Sequence, residues 1–101
     1  MIRHIVAWNY KDGFTKSENK ENALKVKSEL EALVKHIGGI VELKVQVDTL
    51  PSSDKDIILN SLFQSEEALA AYLVHPEHKR VGLFVRTVMQ NRVCIDYDYY
   101  E

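Results

Sequence analysis

Two of the chain's four histidines and one of its two prolines fall in a single stretch, Tyr72-Leu73-Val74-His75-Pro76-Glu77-His78-Lys79-Arg80-Val81. An imidazole titrates near neutrality and can take a proton from a carbon beside a carbonyl, and a nearby phenol can steady the enolate that results. His78, as general base, and Tyr72 are therefore the candidate catalytic pair. Both are also candidate ligand-binding residues, together with His4 and Trp8, which share one parity of the opening segment with Ile2 and Val6 and could line an aromatic pocket. Structural roles compete with these. His78 could pack and hydrogen-bond at a helix break, and His4 could be a satisfied core histidine.

Other reactive side chains take structural readings. His75 precedes Pro76 in an N-cap position, where a helix-entry role is expected. His75 and His78 could approach one ion only with His4 as a third ligand, and a zinc site needs three or four. No metal and no cofactor is expected. His36 falls near the end of the first helix, where a cation suits the dipole. The single cysteine, Cys94, has no partner for an intramolecular disulfide and reads as a small buried thiol. Arg86 follows an apolar helical stripe and reads as half of an ion pair, with anion binding the alternative. Tyr10, Phe63 and Phe84 read as core, and core is also the simplest reading of Trp8.

The elements that must position these residues follow from local patterns. Ile2–Tyr10 carries apolar residues in both parities, as a strand buried on both faces would. Thr15 and Glu18 have capping-box spacing and open a helix. Ala23, Val26, Leu30, Leu33, Val34 and Ile37 form its apolar stripe, Lys and Glu fill its solvated face, and Gly38-Gly39 stops it. Val41, Leu43, Val45 and Val47 alternate with polar residues, which predicts a strand over 41–48. Residues 49–56 are too few for a crossover helix, so the run Ile57–Phe63 is expected to pair antiparallel with that strand. Ser65 caps a second helix, with Glu66 and Glu67 in its first turn. Pro76 breaks it and starts another, carrying Val81, Phe84, Val85 and Val88. The last strand is expected over Val93–Tyr99, with Val93, Ile95, Tyr97 and Tyr99 on one face.

This order is βαββαβ. It predicts a ferredoxin-like α+β fold, a four-stranded antiparallel sheet with the helices on one face. The 101 residues suit a single domain over 1–101. The face without helices is apolar as well, so a homodimer through the open sheet faces is expected. With a net charge of −2 and no basic stripe, nucleic acid is not an expected partner. No apolar run approaches the ~18 residues of a membrane span, so no membrane partner is expected. The start of the chain is too strand-like for a signal peptide, and a cytoplasmic protein is the simplest reading.

The residues Ile2-Arg3-His4-Ile5-Val6-Ala7-Trp8, His75-Pro76-Glu77-His78, Val85-Arg86 and Val93-Cys94-Ile95-Asp96-Tyr97 resemble the stress-responsive alpha/beta barrel (Dabb) family across nearly the whole chain. That resemblance implies a dimeric α+β barrel of ferredoxin-like subunits. Most members have no assigned activity. A plant polyketide cyclase of the family closes an aromatic ring by intramolecular aldol condensation. Its catalytic tyrosine and the second histidine of its His-Pro-x-His segment match Tyr72 and His78, and a first-strand histidine matches His4. Its third-strand histidine has no counterpart in Ile57-Ile58, so a pocket of different polarity and a different substrate are implied.

Three functions follow as expectations. One is a binding protein for a small hydrophobic or polyketide-like molecule held between helices and sheet. Another is a cofactor-independent enzyme, cyclase-like or a monooxygenase, using Tyr72 and His78. The third is a non-catalytic stress-protective dimer. A pocket lined by both Tyr72 and His78 favours the first two.

Overall fold

The computed structural model describes residues 1–100. Strand β1 spans Ile2–Tyr10, helix α1 Lys16–Glu31, β2 Ile40–Gln46, β3 Ile57–Phe63, α2 Glu66–Val74, α3 Pro76–Val88 and β4 Met89–Asp98. The strands form one antiparallel sheet in the order β2-β3-β1-β4. This is the expected ferredoxin-like arrangement, and the helices cover one face.

Local chemistry explains where the helices start. The Thr15 hydroxyl accepts the Glu18 N–H while the Glu18 carboxylate accepts the Thr15 N–H, completing the capping box. The Ser65 hydroxyl accepts from the Ala68 N–H. At the helix break, His75 is extended and its Nδ1 accepts the Glu77 N–H at 3.1 Å, with Pro76 as first helical residue. His75 is therefore the N-cap that its place before proline implied.

The covered face is the core. Val26, Val45, Ile57, Phe63, Tyr72 and Val81 are fully or almost fully buried. Each large apolar side chain removed from water contributes about 1.5–3 kcal/mol. Truncating Phe63 to alanine would cost about 3–5 kcal/mol, because the surroundings cannot collapse fully into the space. At the outer edge, α1 side chains pair the free backbone of β2. Glu31 accepts the Val45 N–H, Lys27 donates to the Val45 carbonyl, and Lys27 and Glu31 bond each other at 2.8 Å.

Four details depart from the sequence pattern. Val34 is 43% exposed, because α1 tightens into a 3₁₀ turn over Ala32–Lys35 that keeps Leu33 and Ile37 in the core and turns Val34 outward. The helix has thus ended before Gly38-Gly39; Gly39 instead adopts a φ of +86° and lies against α2, where an added Cβ would sit 2.7 Å from that of Ala68. Val41 is exposed because it is the extra residue of a bulge, Ile40 and Glu42 facing the consecutive residues Phe63 and Leu62. β4 begins at Met89, four residues before the predicted Val93, since α3 runs straight into it. A second bulge, with Asn91 at φ 56°, hides that start in a polar run.

On the open face, β1 and β4 set Ile5 opposite Ile95 and Ala7 opposite Val93. Val93, Ile95 and Tyr97 are 43, 55 and 46% exposed. Arg3, Asn60 and Glu42 form a polar margin toward β2, where the Arg3 guanidinium bonds both acceptors.

Candidate functional site

A cavity of about 350 Å³ opens between the helices and the covered face, lined by His4, Val6, Trp8, Tyr72, His78 and Arg86 among others. All four residues singled out as ligand-binding candidates border it. β1 supplies His4 and Trp8 by strand alternation. The end of α2 supplies Tyr72 and the first turn of α3 supplies His78, so the break at His75-Pro76 turns the two helices toward one space.

Tyr72 and His78 are in contact, with ring centroids 4.4 Å apart. Tyr72 also meets Phe63 edge-on at 4.9 Å and His4 at 6.2 Å, which fixes the phenol. Tyr72 is completely buried, yet neither its hydroxyl nor the buried Nδ1 of His78 has a protein hydrogen-bond partner. Such groups cost about 1–3 kcal/mol each when left unpaired. Burial drives the Tyr72 pKa up, so the hydroxyl keeps its proton. Burial also holds His78 below its ordinary value; the Leu73 backbone pulls the other way without prevailing, while the charges of His4, Arg92 and Arg86 add to the depression. At neutral pH His78 is thus an unprotonated imidazole next to a protonated phenol, a proton acceptor beside a hydrogen-bond donor.

His4 has a different environment. It pairs with Asp96 across β1 and β4, and its Nδ1 lies 2.5 Å from the Asp96 carboxylate. A carboxylate only accepts, so Nδ1 carries the hydrogen, and in the neutral ring Nε2 is left as an acceptor on a side chain that borders the cavity. The partner Asp96 was not apparent in the sequence because it depends on strand register. The alternation of β4 alone, however, already puts Arg92, Cys94 and Asp96 on one face.

Cys94 departs from its expected burial. It is exposed, since the helices do not reach over this edge strand. Its sulfur is 3.6 Å from Asp96 and 3.8 Å from His4 Nδ1. Partial burial and the Asp96 charge push the thiol's pKa up, so it is a poor nucleophile. His4, Cys94 and Asp96 offer ligand atoms within 4.8 Å of one another. The His4–Asp96 separation is that of a hydrogen bond, whereas two such ligands around a tetrahedral zinc would stand about 3.3 Å apart. An ion would have to displace the shared proton and open this pair.

Arg86 lines the cavity and, among the described residues, forms no ion pair, contrary to the reading favoured for it from the sequence. Arg92, Leu30, Leu59, Gly82 and Val85 also line the cavity and were not singled out in the sequence. Leu30 and Val85 are indistinguishable there from other core stripe residues. His75 is taken up by its cap and is not among the lining residues. A larger groove, about 590 Å³, lies beside the N-terminal half of α1 around Tyr10, Asn19 and Leu24, and none of the histidines borders it.

Comparison with known proteins adds to this geometry. The model of the stress responsive A/B barrel domain matches residues 2–99. A dimeric protein of unknown function with a ferredoxin-like fold from Bacteroides fragilis is 28% identical, with a TM-score of 0.89 over 97% of this chain and 95% of that one. A Dabb family protein from Mesorhizobium loti is 24% identical, with a TM-score of 0.70 over 99% and 97%. A hydroxynitrile lyase from Passiflora edulis is 17% identical, with a TM-score of 0.81 over 99% and 94%. No curated protein matches the sequence.

Proposed function

The chain belongs to the stress responsive A/B barrel domain family, and on that premise we propose that it is a homodimer binding a small, largely apolar molecule in the cavity beneath Tyr72 and His78. One observation carries this reading. The Tyr72 hydroxyl and His78 Nδ1 are buried without a protein partner, and the two side chains that carry them line one cavity. A bound molecule with an oxygen function would complete them. The volume is at the lower end of that of ligand pockets, so a molecule of one or two rings fits.

The dimer reading rests on the exposed Val93, Ile95 and Tyr97 and on the dimeric relative from Bacteroides fragilis. A dimer serving only as a stress-protective scaffold would have no use for the two unpaired groups. No helix among the described residues is long and apolar enough to cross a membrane.

Proton-transfer catalysis is the second reading, and the depressed pKa of His78 favours it. A neutral imidazole beside a phenol suits abstraction of a proton next to a carbonyl, with Tyr72 donating to the enolate oxygen. The lyase from Passiflora edulis has the same fold at 17% identity, too low to carry its activity over.

The two readings separate in one comparison. Polyketide and quinol substrates are tried on the wild type and on His78→Ala, and calorimetry follows binding of 3-phenylpropanol to both. Binding that weakens about 2–10-fold in Tyr72→Phe, as loss of one hydrogen bond implies, supports the site. Turnover by the wild type alone supports catalysis. Equal inactivity of both proteins on every substrate removes the enzyme reading and leaves the binder.

A further inference from the structure

The cavity wall also carries two guanidinium groups. Arg86, in the last turn of α3, and Arg92, near the start of β4, both line it. They flank the junction at which α3 passes directly into β4, which brings both to one space. Gly82, one turn before Arg86, lines the cavity too, and an added Cβ there would meet the Arg86 guanidinium at 3.7 Å. The arginine is thus folded back along its own helix toward the cavity.

Elsewhere in the molecule three cations are held in ion pairs. Arg3 bonds Glu42, Lys27 bonds Glu31, and Arg80 bonds both Glu29 and Glu77. Among the described residues Arg86 and Arg92 form no ion pair, in a chain whose net charge is −2. The nearest acid of β4, Asp96, is engaged by His4. The rest of the lining is largely apolar or aromatic, with Val6, Trp8, Leu30, Leu59 and Val85. The lining is therefore apolar apart from the two arginines and the ring side chains of His4, Tyr72 and His78.

We infer that the natural ligand is a small carboxylate with an apolar or aromatic body, its carboxylate held by Arg86 and Arg92 and its body seated against Trp8, Tyr72 and Leu59. This deepens the binding reading above and rests on it. Guanidinium groups suit a carboxylate because the planar fork of donors matches its two oxygens. The field of the two arginines extends into the site, since both lower the pKa of His78. An anionic head group would offset that field, so a carboxylate ligand also makes His78 a better base than it is in the free protein.

The test compares 3-phenylpropanoate with 3-phenylpropanamide, two molecules of one shape that differ in charge. Trp8 is the only tryptophan and borders the cavity, so its fluorescence, excited at a wavelength neither probe absorbs, reports occupancy. The carboxylate is expected to bind at least about tenfold tighter than the amide at low salt, with the preference shrinking as salt is added. The double variant Arg86→Gln/Arg92→Gln is expected to bind both probes alike, at the affinity of the amide. Both arginines are exposed, so the variant is expected to fold, and its circular dichroism and thermal midpoint check this. Equal binding of the two probes by the wild type overturns the inference while leaving the pocket reading intact. A carboxylate preference that survives in the double variant also overturns it, because the anion is then held elsewhere. If neither probe binds, and neutral 3-phenylpropanol does not bind either, the pocket reading fails and this inference with it.

Discussion

Each face of the sheet carries a few residues that a simple water-soluble layer would not place there. The covered face, which has the core, holds the buried His4 and Ser61 and faces Tyr72 and His78. The open face presents Val93, Ile95 and Tyr97 to solvent. A sheet selected for stability alone would place polar groups outside and apolar groups inside. These exceptions assign the faces different tasks. Buried polar groups that cost stability are kept where a ligand could use them, and exposed apolar groups are kept where a partner could cover them.

The largest expected effect breaks the open face. Ile95→Glu would put an unpaired carboxylate at the centre of the proposed dimer contact, where desolvation costs several kcal/mol. Sedimentation at micromolar concentration is expected to show a dimer for the wild type and a monomer for the variant, with association weakened at least about hundredfold. A wild type that sediments as a monomer contradicts the reading of this face.

The next effect is on the covered face. Tyr72→Phe removes a buried hydroxyl with no protein partner, so the free protein is expected to gain about 1 kcal/mol in denaturant unfolding even as binding weakens. A large loss of stability would mean that the hydroxyl is already bonded in the folded protein.

His78 gives a pH signature of similar or smaller size. Its folded pKa lies below the ordinary 6.5. As pH falls through that value the unfolded chain takes up a proton that the folded one refuses, so more protons are bound in the unfolded state and stability declines. Above the ordinary value there is no penalty, and once pH passes below the folded pKa the penalty stops growing. Unfolding of His78→Gln, followed between pH 5 and 8, is expected to lack this part of the decline; an unchanged profile would remove the burial argument.

The smallest effect concerns the edge between the faces. Asp96 is partly exposed, so water screens its bond to His4, and Asp96→Asn is expected to cost only about 0.5 kcal/mol. A much larger loss would make this pair a structural strut, with His4 fixed for stability more than for a ligand.

What was legible in the sequence was local. The Thr15–Glu18 box, the Ser65 cap and the His75-Pro76 break are each written within four residues, and strand alternation placed His4 with Trp8 and Val93 with Ile95. Tyr72 and His78 meet because the break between them sets the angle of two helices, and the residue pattern marked that break. The illegible parts were relational. Asp96 becomes the partner of His4 only through the register of β1 with β4, and Arg92 reaches the cavity only because α3 passes into β4 without a loop. The bulges at Val41 and Asn91 add one residue each to a strand, which an alternating pattern read residue by residue cannot anticipate. Cys94 was misplaced for a similar reason, since its alternation was right but the extent of helical cover over an edge strand is a tertiary fact.

The division between the faces can be tested most directly by solution NMR of the wild-type protein titrated with 3-phenylpropanol. Resonances of the Tyr72 and His78 rings and the Trp8 indole are expected to shift in a saturable way, while Ile95 and Tyr97 on the open face stay in place. Shifts confined to Val93, Ile95 and Tyr97, with the cavity residues unmoved, would contradict the account.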